Sequence, residues 1–194
     1  MSKSDSAPQK KERRKNICWV IIIFLVTILI SGIISFASNE LMRESTIAVA
    51  FVILFVIVFV GIIFDMVGVA VASADEKPFH SMAARKVPGA LESISLLRKA
   101  DRVSSICNDV IGDICGVVSG SASAAIAAQL IANFTGDASQ LIMLLMSSLV
   151  AGLTVGGKAL CKGFAIRSCT KIVSTVGKVI WSFHHIPNLW RRKK

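Results

Sequence analysis

A chain of 194 residues with 54% apolar and 18% charged residues, and a mean hydropathy of +0.68, carries too much apolar surface for a water-soluble domain of its size. Its formal net charge is +10, yet Lys and Arg fall in three blocks separated by apolar runs. That pattern orients membrane helices and does not build a groove for nucleic acid. The sequence holds no nucleophile with a paired base and no phosphate-binding glycine loop, so the expectation is a membrane protein that is not an enzyme.

Residues 1–16 are polar, with Lys10, Lys11, Arg13, Arg14 and Lys15, and read as a disordered basic cytoplasmic tail. An uninterrupted apolar run over 17–38, with Trp19 near its start, is long enough to span ~30 Å of hydrocarbon. Phe36, Ala37 and Ser38 also resemble a cleavage site, so a removed signal is the alternative to a retained first span.

After a polar link, a second span runs from Thr46 to about Ala72 and meets Asp65 and Gly68 near its end, with Ser73 just beyond. A carboxylate is not tolerated against lipid, so the Asp65 face is expected to look into the protein or toward water. Phe79 to Arg102 reads as short amphipathic helical pieces broken at Pro88 and Gly89, with Leu91, Ile94, Leu97 and Lys99 on one interfacial helix. The third span is Ser105 to Leu130, ending near Asn133, and the fourth runs from Ser139 to Gly157. A basic amphipathic tail follows, with Ile172, Val176, Val179, Ile180 and Phe183 on one face. Its end over 181–194, with Trp181, Trp190 and Arg191 to Lys194, suits a membrane surface bearing anionic lipid. Asn133, Phe134 and Thr135 match a glycosylation acceptor by chance.

Six Lys and Arg precede the first span, six lie between the second and third, nine follow the fourth, and Arg43 stands alone on the other side. The positive-inside rule then puts both termini in the cytoplasm of a plasma (inner) membrane protein. Cys107 and Cys115, like Cys161 and Cys169, are eight residues apart on one helix and cannot pair within it. The five cysteines therefore read as small reduced residues. His80 and the adjacent His184 and His185 read as surface or headgroup histidines, because neighbours on a helix point apart.

The third span opens with Asn108, Asp109 and Asp113. Asp109 and Asp113 are four apart and share a helical face, and two carboxylates beside an amide carbonyl are hard oxygen ligands suited to Mg²⁺, Ca²⁺ or Na⁺. Both ionised, they repel, so a cation, a lysine partner or a raised pKa relieves them, unless they simply stand wet at the cytoplasmic mouth. Gly112, Gly116, Gly120, Ala124 and Ala128 form a ridge of small residues beside them, as Ser148, Gly152 and Gly156 do on the fourth span. Such ridges serve either close packing of these two spans or a homodimer seam.

Three segments resemble a known family in order and spacing over about residues 47–180. Ser73-Ala-Asp-Glu76 followed by Ser81 is similar to the turn that closes the first core helix of the CorC and cyclin M (CNNM) magnesium transporter transmembrane domain. Ile106-Cys-Asn108-Asp109-x-x-x-Asp113 resembles its Gly-Asn-Asn-x-x-x-Asn element. Gly157-Lys158-x-x-Cys161-Lys162-x-x-Ala165-x-Arg167 resembles its Gly-Glu-x-x-Pro-Lys-x-x-Ala-x-Arg element. The resemblance implies an all-α multi-pass fold in which a three-helix core over 46–180, flanked by juxtamembrane helices, follows the extra N-terminal span. It also implies a homodimer and a cation site built by Ser73, Asn108 and groups near Gly156 to Lys158. Lys158, or Gly157 with the register moved one place, stands at the family's glutamate, and no nucleotide-sensing module follows in this sequence.

The expected function is Mg²⁺-like cation binding or transport, with Ser73, Asn108, Asp109, Asp113, Asp65 and Gly157 as the metal set. The alternative is a transport-inactive relative in which Lys158 neutralises the acids, leaving a scaffold or regulatory subunit for a membrane-protein client.

Overall fold

The structure, a computed structural model, describes residues 6–43, 46–131 and 138–191. It is all-α, with no strand among the described residues: α1 (Ser6–Arg43), α2 (Ile47–Ser73), α3 (Lys77–Ala84), α4 (Ala90–Leu97), α5 (Ala100–Ser105), a π-helical segment (Ile106–Gly112), α6 (Asp113–Ile131), α7 (Ala138–Arg167) and α8 (Cys169–Arg191). Four stretches are long and apolar enough to cross a membrane, Ile17–Ser38, Ile47–Ser73, Ala100–Ile131 and Gln140–Arg167. The molecule is a four-span membrane protein, and the spans force α3 to α5 and α8 onto the same side as the start of α1.

The central helix is α2, which touches every other spanning helix. Its Ala50, Leu54 and Val58 bury against Ala122 and Ile126 of α6 and Val150 of α7. A second core joins Val110, Ile114 and Val118 to Ile57 of α2 and Ile23 of α1. The third lies at the charged end, where Ala70 and Val71 of α2 meet Phe79, Ile94, Leu97, Ala165 and Val173. By contrast, α1 presents Val20, Phe24, Leu25, Ile28, Leu29 and Phe36 outward. With no hydrophobic drive between helices in lipid, such residues remain as bilayer-facing surface.

Several boundaries differ from those expected. Residues 6–16, read as a disordered tail, continue α1; Gln, Lys, Glu and Arg are good helix formers, and a preformed span removes the nucleation penalty. Residues 1–5 lie outside the described set. The interfacial helix expected over Leu91 to Lys99 is instead a packed element, since Ile94 and Leu97 are buried and Leu91 alone of the three is exposed. The tail over 181–194 has no boundary of its own: α8 runs unbroken to Arg191, while 192–194 and the sequon Asn133 to Thr135 lie outside the described residues. Finally, α7 continues ten residues past the expected end of the fourth span to Arg167.

Close approach explains the packing at the charged end. Gly89 has φ +83° and nearly touches the α8 backbone, where an added Cβ would meet the Lys178 nitrogen at 2.5 Å. Positive φ and absent side chain both call for glycine there. The buried Ser93 hydroxyl lies 2.8 Å from the Gly89 carbonyl oxygen and 3.2 Å from that of Val173. It thereby ties α4 to α8.

Candidate functional site

Three spans deliver one polar cluster to a single depth. Asp65 lies 18 residues along α2 from Ile47, Asp113 lies 18 residues before the end of α6, and Lys158 lies 20 residues along α7. At 1.5 Å per residue each is ~27–30 Å from the opposite surface, which is the hydrocarbon thickness. The charges therefore gather at the boundary on the side of α3 to α5.

There the Lys158 Nζ stands 3.7 Å from Asp65 Oδ1 and 3.8 Å from Asp113 Oδ1. It also donates to the Gly112 carbonyl at 3.4 Å. Asp65 and Lys158 are mostly buried, while Asp113 is 73% exposed. At ~4 Å and an effective dielectric of 20, each opposite-charge contact is worth about 4 kcal/mol before desolvation. Desolvation offsets much of that, and the exposed Asp113 is screened by water. One negative charge is left over in the trio.

The π-helical turn over Ile106–Gly112 runs into this cluster. Asp109 and Asp113, expected on a common face, differ in role: Asp113 reaches Lys158, whereas Asp109 is exposed and in no ion pair among the described residues. Asp65 takes the place expected of Asp109. Gly112 ends the π turn, and a Cβ there would meet the Cys107 carbonyl at 3.3 Å, Lys158 Nζ at 3.4 Å and Asp65 Oδ1 at 3.6 Å. A methyl group there would touch the ammonium and the Asp65 carboxylate without displacing either.

The rest of the expected metal set is dispersed. Ser73 is exposed at the end of α2, and Gly157 faces Ile62, whose Cδ1 lies 2.5 Å from an added Cβ. Asn108 turns toward Gly68, which has no side chain to obstruct it. Its amide donates to Ser104 Oγ at 3.3 Å, and its buried Oδ1 has no hydrogen-bond partner. Among the described residues, no three His, Cys, Asp or Glu side chains converge as a metal shell. All five cysteines are free, and His80 lies 3.3 Å from Glu76 Oε2 on the surface.

The glycine ridges do not pack α6 against α7. A Cβ on Gly116, Gly120, Gly152 or Gly156 would meet nothing within 4 Å. Instead a groove of about 500 Å³ lies between the two helices, bounded by Gly116, Gly120, Ala151 and Val155 and ending at Asp113 and Lys158. Ser123 lines it, 1% exposed and with its Oγ unpartnered.

What sequence reasoning missed was the π turn and the Gly112 carbonyl. The signal for the carbonyl was the glycine itself, lying between the two acids and the lysine. Fold and site together define an all-α multi-pass membrane protein with a lysine-bridged pair of carboxylates at the boundary of its bundle. Comparison with known protein families, with curated proteins and with solved structures gives no match.

Proposed function

We propose that this chain is a transport-inactive relative of the CorC and cyclin M transmembrane domain, a homodimeric scaffold or regulatory subunit for another membrane protein. The observation that supports this reading is the Lys158 ammonium, held between Asp65 and Asp113 and against the Gly112 carbonyl. A divalent ion in that space must displace an internal cation. It then finds two carboxylates and one carbonyl, short of the near-octahedral oxygen shell that Mg²⁺ demands. The open glycine faces of α6 and α7 support a partner helix at the groove, because small residues allow close backbone approach. The distribution of Lys and Arg supports cytoplasmic termini.

A second reading, Mg²⁺ binding or transport, rests on Asn108 Oδ1 and Asp109, two oxygen donors of the π turn without a partner. Thermal unfolding of the purified protein with and without Mg²⁺ separates the two. On the first reading, wild type does not respond, and Lys158→Glu gains a shift of roughly 5–10 °C at Mg²⁺ a hundredfold above its Kd. A wild-type shift that disappears in Asp109→Asn establishes the second reading instead.

A further inference from the structure

We propose that the shoulder between α1 and the α4–α5 turn binds the anionic phosphodiester headgroup of a membrane lipid. Two adjoining cavities meet there, of about 370 Å³ and 430 Å³, and both are lined by Asp101 and Arg102. The smaller is walled by Trp19, Val20, Ile23 and Ser105, the larger by Arg98 and Lys99.

The depth is that of a headgroup. Trp19 stands at the start of the first apolar stretch, which begins at Ile17, so the cavities open on the water side of the Asp65, Asp113 and Lys158 cluster, at headgroup level, with Val20 and Ile23 one turn deeper. Val20 is exposed, and an acyl chain lies naturally along this apolar wall. The polar chemistry is that of an anion site. Arg98, Lys99 and Arg102 fall within five positions and are in no ion pair among the described residues, and Asp101 is the sole carboxylate lining either cavity. Two positive charges remain uncompensated. The Arg102 guanidinium lies 5.7 Å from the centroid of the Trp19 ring, within cation–π range, which orients its donors. Planar guanidinium donors match phosphate oxygens in pairs.

Inorganic phosphate offers the same oxyanion, but it has no use for the wall formed by Val20 and Ile23. That wall favours the lipid as the source. The Asp101 carboxylate opposes any anion here, so its removal strengthens binding.

The test titrates the full chain in detergent with phosphatidylglycerol, phosphatidylcholine or inorganic phosphate, reading bound lipid by native mass spectrometry and protection by thermal unfolding. Phosphatidylglycerol is expected to bind about tenfold more tightly than phosphatidylcholine, since each surface cation contributes appreciably to anionic lipid attraction. Arg98→Gln with Arg102→Gln removes the preference, and Asp101→Asn increases it. Lys171→Gln with Lys178→Gln, the same charge change on the exposed side of α8, leaves it intact. Should the Arg98 and Arg102 double variant fail to fold, the exposed Lys99→Gln reports alone, with a preference reduced about threefold. Equal binding of the two lipids overturns the proposal, as does equal loss in the α8 variant, which assigns the effect to diffuse charge. Protection by inorganic phosphate alone to the same extent overturns the lipid assignment.

Discussion

Where α8 crosses α4, a methyl group on Gly177 would fall onto the Ser93 hydroxyl and lie 2.5 Å from the Gly89 carbonyl, whereas along α6 and α7 one on Gly116, Gly120, Gly152 or Gly156 meets nothing within 4 Å. The charged end of the molecule spends its glycines on contact between backbones. Its buried core joins Val71 and Ala165, at the ends of two spans, to Phe79, Ile94, Leu97 and Val173 of helices beyond them, where apolar burial in water drives assembly at about 25 cal/mol per Å². The α6–α7 face lies among the spans, where lipid is as apolar as leucine and that drive is absent. Open glycines there are free to serve a second molecule. The same residue type thus marks a closed joint at one end of the bundle and an unfilled seam along its length.

Substitutions at the two kinds of glycine sharpen this contrast. Gly177→Ala is expected to have the largest effect, a destabilisation of about 2–3 kcal/mol, because backbone and a buried hydroxyl on α4 must both shift. Chemical unfolding in detergent measures it, and a neutral result removes the α4–α8 joint from the account. Next comes Ser93→Ala, for which loss of the hydroxyl from Gly89 and Val173 is worth about 1 kcal/mol in the same assay. The smallest change in monomer stability, and opposite in sign, is expected for Gly116→Ala with Gly120→Ala. Each replacement favours the helix by about 0.5–1 kcal/mol and clashes with nothing inside the chain. On the homodimer proposed above, cross-linking in nanodiscs nonetheless reports less dimer, because the added methyl groups hold a partner helix away. Unchanged dimer with a stabilised monomer removes these glycines from the seam.

The contrast was only partly legible in the sequence. Four spans and an all-helical fold follow from apolar runs of sufficient length, a local property that tertiary contacts do not alter. Breaks at Pro88 and Gly89 were equally local, and Lys158 stood out as an ammonium among acids. The pairing of Lys158 with Asp65 was harder to see. The spacing of Asp109 and Asp113 suggested that they act together, whereas Lys158 meets Asp113 and the Asp65 of a different helix. Nor does any local pattern distinguish Gly177, which is jammed, from Gly120, which is open.

Residue identity alone determined how many times this chain crosses a bilayer, where its charges lie along each helix, and that a lysine and several carboxylates share one end of the bundle. Hydropathy and helical rise suffice for those, since both act residue by residue. Only the tertiary structure decided which carboxylates the lysine meets and which glycines touch a neighbour. Both depend on how each helix is rotated about its own axis. That rotation is set by the packing of α2 against α6, α7 and α8, together with the one turn of α6's approach that is not an α-helix.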